Sequence, residues 1–112
     1  TIQRVAFSKD LLDLFSNVGL VHGDLKSNNV FLASGDFKVI DWQRPLFAPK
    51  VLDLVCLLDS FNLELATYAS ESALNLFYLL QIHWLTECSL KWFPDGAKNY
   101  DTQVTELATK LK

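Results

Sequence analysis

Between Glu71 and Glu87 the chain carries no charge: Ser72 to Thr86 includes Asn75, Gln81 and His83 but no acidic or basic side chain. Such a run is shorter than the ~20 apolar residues that span a bilayer. Ala73, Leu74, Phe77, Leu80, Trp84 and Cys88 recur along it at helical spacing and cover much of the circumference. A helix that is apolar on most sides must be packed on most sides. The pattern therefore predicts a central helix over 71–92, with Ser70 as its cap, Glu71 favourable in its first turn and Pro94-Asp95-Gly96 ending it. His83, inside this helix, is expected to be a hydrogen-bonded core histidine. Trp84, Trp92 and Phe93 are expected either to pack or to line a substrate site.

The 112 residues suffice for one domain, and with 50% of them apolar and 21% charged a disordered chain is excluded. A domain of this size buries roughly two-thirds of its unfolded surface. The net charge is -3 and no basic cluster stands out, so neither nucleic acid nor a membrane surface is an expected partner. Arg4, Lys9 and Asp10 interrupt the opening apolar segment, unlike a signal peptide. Cys56 and Cys88 both fall in apolar helical patterns and form no metal-type pair, which predicts buried, reduced thiols and a cytoplasmic setting.

Phe7, Leu11, Leu14, Phe15 and Val18 predict an amphipathic helix that stops at Gly19. Leu20 and Val21 lead into a polar loop over 20–29. Val30-Phe31-Leu32 and Phe37-Lys38-Val39-Ile40, around Ser34-Gly35-Asp36, predict a tight hairpin over 30–41. Pro45 and Pro49 punctuate a loop. Val51, Leu54, Val55 and Leu58 predict a helix over about 50–61, and Val104, Leu107, Ala108 and Leu111 one over 101–111. The fold class is α+β and mostly α-helical, in a single domain spanning 1–112.

Chemistry concentrates in His22-Gly23-Asp24-Leu25-Lys26-Ser27-Asn28-Asn29, the hairpin, and Ile40-Asp41-Trp42. With nine Asp and six Asn, an Asp-x-x-x-x-Asn spacing arises by chance about 0.5 times. Requiring a histidine two places earlier lowers that to about 0.01. Phosphoryl transfer needs an aligned hydroxyl and cations on the phosphate oxygens. Magnesium prefers carboxylate, amide and phosphate oxygens. A hairpin brings its ends together, so Asn29 and Asp41 are expected to converge on shared metal, leaving Asp24 to accept a hydroxyl proton.

At these residues, over about Leu11 to Leu58, the chain resembles the protein-kinase-like superfamily, specifically small-molecule phosphotransferases of the aminoglycoside and choline kinase type. The resemblance implies part of the C-terminal, helical lobe of that fold and phosphoryl transfer from ATP with Mg2+ to a small-molecule hydroxyl. It casts Asp24 as the catalytic base and Asn29 and Asp41 as metal and cofactor ligands. His22 would brace the loop, and Asp53 would hold it through backbone N–H groups. Lys26 is similar to the phosphate-contacting lysine of serine/threonine kinases. Against a protein kinase stand Gly23 in place of an arginine, Trp42-Gln43 in place of Phe-Gly, and only eleven residues between Asp41 and Asp53. A serine/threonine kinase-like enzyme, a catalytically silent scaffold and a small helical interaction module are the competing readings.

The family's nucleotide site also needs a second lobe, and none of Gly19, Gly23, Gly35 and Gly96 makes a phosphate-cradling loop. The chain is therefore expected to be a fragment whose partner is the missing N-terminal lobe, inactive alone and prone to self-association through exposed apolar surface. Acidic residues in the acceptor pocket would suit a cationic substrate, with Glu64, Glu71 and Glu87 as diffuse candidates.

Overall fold

The computed structural model describes the backbone of residues 2–92 and 97–112. Phe93 and Pro94-Asp95-Gly96, and the side chain of Trp92, lie outside the described residues. In chain order the elements are α1 (Ile2–Ala6), α2 (Lys9–Asp13), β1 (Val18–Val21), β2 (Val30–Ala33), β3 (Asp36–Val39), β4 (Leu46–Pro49), α3 (Val51–Ser60), α4 (Glu71–Glu87) and α5 (Ala97–Thr109). Short 3-10 turns cover Leu14–Ser16, Ser27–Asn29 and Leu65–Thr67, and a π turn Cys88–Trp92 extends α4. The protein is α+β and mostly helical, with two separate two-stranded antiparallel sheets among the described residues.

The charge-free helix α4 is the spine. Ser70 caps it by accepting a hydrogen bond on its hydroxyl from the Ala73 N–H at 3.2 Å. Ala73 and Phe77 join Val21, Ala48, Leu52, Val55, Cys56 and Leu65 in one core cluster. One turn on, Ile82 joins Val5, Leu11 and Leu111 in a second. Val104, Leu107 and Ala108 pack against that second cluster, so the seam of the last helix faces inward as its spacing required. Burying an aliphatic or aromatic side chain contributes about 1.5–3 kcal/mol, so a helix shared by both clusters carries much of the fold.

The N-terminal segment departs from its periodicity. Ser8 takes an extended conformation and its hydroxyl accepts from the Leu11 N–H at 3.3 Å, so the helix starts at Lys9 and Phe7 is left exposed. The helix then tightens into the 3-10 turn, and Val18 enters β1 opposite Pro49. Gly19 consequently lies mid-strand, facing Ala48, and is no helix stop. The segment read as a proline-punctuated loop is the partner strand β4. Pro49 is tolerated because it ends a strand in a sheet of only two. Long-range pairing overrides local helical spacing here, as β-branched Val18 and Val21 favour.

Two further positions differ. Leu54 is exposed, because the buried face of α3 is Leu52, Val55 and Cys56. His83 is exposed rather than buried, its ring 5.5 Å from that of Trp84, since the buried side of α4 passes through Phe77 and Ile82. The hairpin pairs Val30 with Val39 and Leu32 with Phe37. Its two-residue turn holds Ser34 at φ 53° and Gly35 at φ 81°, the left-handed pair that matches strand twist. Cys56 is buried and Cys88 half-buried, both unbridged.

Candidate active site

The loop between β1 and β2 is tied down from three directions. From below, the Asp53 carboxylate in the first turn of α3 accepts the His22 N–H at 2.8 Å and the Gly23 N–H at 3.0 Å. Gly23 has φ 86°, and a Cβ there would stand 2.6 Å from the Arg44 carbonyl oxygen and 2.8 Å from Leu46 Cδ2. Only glycine meets both demands. Beneath the loop, Cys56 Sγ lies 3.9 Å from the Gly23 carbonyl. Burial first, then the charges of Asp53 and Asp24, push its thiol up to about 12, so it stays protonated.

From the side, the fully buried His22 ring links loop to hairpin. Its Nδ1 accepts the Asp24 N–H at 3.2 Å, which makes Nε2 the protonated nitrogen that donates to the Ile40 carbonyl at 2.9 Å. The Trp42 ring packs on it, centroids 4.9 Å apart.

Asn29 closes the loop on itself. Its Oδ1 accepts the Lys26 N–H at 2.8 Å and its Nδ2 donates to the Asp24 carbonyl at 3.3 Å. Its own carbonyl accepts the Ile40 N–H at 3.0 Å. Asp41 follows Ile40, so Asn29 and Asp41 start from neighbouring backbone at the open end of the hairpin, and Asn29 is bonded directly to the backbone of Asp24. Asp24 is half-exposed and its carboxylate lies 3.5 Å from Lys26 Nζ. Asp41 is exposed and sits at φ 66°, a left-handed conformation uncommon for a non-glycine residue. Its side chain forms no hydrogen bond or ion pair among the described residues.

Asp24 and Lys26 open onto a cavity of about 640 Å³ between the loop, α3, α4 and α5. Arg44, Asp59, Trp84 and Glu106 help to line it, whereas Glu64, Glu71 and Glu87 do not. Of these, Trp84 was marked by the sequence; Arg44 could have been, standing three residues past Asp41. Asp59 and Glu106 are brought in by tertiary packing, which no local spacing announces. No group of three or more His, Cys, Asp or Glu suited to a metal occurs among the described residues, so any metal here must also use amide or phosphate oxygens.

A mostly helical α+β protein with a carboxylate-bearing loop stitched to a hairpin end defines the class. The model of the phosphotransferase enzyme family matches residues 3–101, and the chain belongs to that family. No curated protein and no solved structure matches it.

Proposed function

We propose that this chain is part of the helical lobe of a protein-kinase-like enzyme that moves a phosphoryl group from ATP to a hydroxyl of a small molecule, with magnesium. The observation that carries the reading is the bonded chain Asp53–His22–Asp24–Asn29–Ile40, which fixes the half-exposed carboxylate of Asp24, paired with Lys26, beside the hairpin end that bears Asp41. Family membership supports phosphotransfer, and the resemblance to aminoglycoside and choline kinases supports the small-molecule hydroxyl, ATP and magnesium.

In this reading Asp24 accepts the hydroxyl proton as the acceptor oxygen bonds to the terminal phosphorus of ATP and the bond to the ADP oxygen breaks. Its neighbour Lys26 presents an ammonium to the phosphate oxygens. The donors for magnesium suit a hard ion: the Asp41 carboxylate is unengaged, and the Asn29 amide oxygen has one lone pair left beside its bond to the Lys26 N–H. When bound there, the ion supplies positive charge against the phosphate. His22 and Asp53 act only by holding the loop.

No glycine-rich loop stands among the chain's four glycines, so the nucleotide is held largely by a further lobe. Leu32, Phe37, Leu20 and Phe47 form exposed apolar cross-strand pairs on the two sheets, which favours such a partner and self-association in its absence. Among the described residues no helix is long and apolar enough to cross a membrane. The chain alone is expected to be inactive.

The test is Asp41→Ala in the whole protein that carries this chain, assayed at saturating magnesium. Phosphoryl transfer should fall at least a hundredfold; undiminished transfer ends the reading. Magnesium-dependent nucleotide binding with no turnover over a broad panel of alcohols would mark a silent scaffold instead.

A further inference from the structure

Every backbone N–H from His22 to Ser27 is accepted by a side chain. Asp53 takes the first two, His22 Nδ1 takes that of Asp24, and Asn29 Oδ1 that of Lys26. The Cys56 sulfur holds the Leu25 N–H, and the Ser60 hydroxyl accepts the Ser27 N–H at 3.0 Å. A loop without strand or helix bonds of its own needs a separately placed partner for each such group. Three of these partners, Asp53, Cys56 and Ser60, stand on α3 at i, i+3 and i+7, which is one face of the helix. Helix α3 thus holds the loop along its whole length, from Asp53 in its first turn to Ser60, its last residue.

Between the two ends of that stripe lie Asp24 and Lys26, carboxylate and ammonium 3.5 Å apart and both half-exposed. An ion pair so open to water does little to hold its own geometry, and a lysine stem is flexible. The place of the ammonium beside Asp24 is therefore set by the backbone beneath it. Ser60 is oriented to hold that backbone: its hydroxyl proton goes to the Leu57 carbonyl at 2.6 Å, which leaves the oxygen's lone pairs for the Ser27 N–H. We propose that Ser60 is a positioning residue, through which the end of α3 fixes Lys26 against Asp24 for phosphoryl transfer. The role rests on the phosphotransferase reading, but the bond it depends on is measurable without turnover. That bond lies at the surface, so water can take the place of the hydroxyl at the Ser27 N–H. Its loss should disturb the reaction far more than the stability of the fold.

The experiment compares Ser60→Ala and Ser60→Thr in the whole protein that carries this chain and in the 15N-labelled chain. Phosphoryl transfer from ATP is measured with choline, ethanolamine, glycerol and kanamycin, and the best of them is used. Ser60→Ala should lower kcat about tenfold and leave the KM of the alcohol unchanged. Ser60→Thr keeps the hydroxyl and should restore at least about half of the parent kcat. In a Lys26→Ala background, Ser60→Ala should cost less than about twofold, because its effect passes through Lys26. In the labelled chain, Ser60→Ala should quicken exchange of the Ser27 amide with water at least about tenfold, with less than about twofold change at His22 and Gly23, which Asp53 holds. An unchanged kcat, no rescue by Ser60→Thr, a full loss that persists without Lys26, or a loss confined to KM, which would put Ser60 on the alcohol, overturns the proposal. So does an unmoved Ser27 amide, or exchange that quickens equally at His22 and Gly23. If the parent protein phosphorylates none of the four alcohols, the enzymatic reading fails there and the exchange pattern alone decides whether Ser60 holds the loop. An active enzyme indifferent to Ser60→Ala leaves that reading standing and removes this one.

Discussion

Asp53→Asn removes one charge from the point where helix α3 holds the loop. The wild-type carboxylate accepts two backbone N–H groups, from His22 at 2.8 Å and Gly23 at 3.0 Å. Hydrogen bonds to a charged group contribute about 1.5–3 kcal/mol each. The amide keeps one acceptor and turns an NH2 toward the other N–H, so one bond is lost and a buried donor is orphaned. Because Asp53 is only half-buried, the lower end of the range applies, and a loss of about 2 kcal/mol is expected. At roughly 4 °C per kcal/mol for a chain of this size, the melting temperature should fall by about 8 °C. Urea and thermal unfolding followed by circular dichroism measure both. The same substitution removes the leading charge that raises the Cys56 thiol, so that thiol should titrate at lower pH than in the parent. A stability change below about 0.5 kcal/mol, or an unmoved thiol, would refute the reasoning.

Gly23→Ala should cost about 3 kcal/mol in urea unfolding, since a left-handed backbone and a 2.6 Å contact with the Arg44 carbonyl oxygen act together; a loss under 1 kcal/mol would mean that the 41–46 segment yields freely. Asp41→Gly should stabilise the fold by about 0.5–1 kcal/mol while abolishing phosphoryl transfer in the whole protein, because φ 66° is strain retained for the carboxylate; a destabilised variant contradicts this. Above pH 9 an unfolded chain releases the Cys56 proton while the folded chain keeps it to about pH 12. Stability should therefore fall with rising pH by up to about 1.4 kcal/mol per unit, and the deficit of Cys56→Ala in urea should shrink between pH 9 and 11. A deficit constant over that range would rule the account out.

The parts of the fold legible in the sequence are those fixed by local chemistry. The Ser70 cap, the inward seam of the last helix and the Ser34-Gly35 turn each depend on a few adjacent residues whose preferences agree. The parts that misled depend on distant ones. Val18 and Gly19 continue a helical pattern in the sequence, yet they pair with Pro49 and Ala48, about thirty residues on, and no window that short can detect it. In the site, His22, Asp24, Asn29 and Asp41 were legible because a spaced motif and a hairpin imply their neighbourhood. Asp53 was legible only through the family resemblance, and its two bonds to the loop supply the physical reason. Asp59 and Glu106 were not legible, since their place on the cavity wall follows from how α3 and α5 pack around α4.

The most direct measurement is manganese-induced broadening in the 15N-labelled chain, with the paramagnetic ion standing in for magnesium. The Asn29 side-chain amide and the backbone amides of residues 40–43 should broaden first, and Asp41→Asn should abolish the effect. Broadening that begins at Asp10 and Asp13, or that persists unchanged in the variant, would contradict the assignment of the hairpin end as the metal-bearing side of the site.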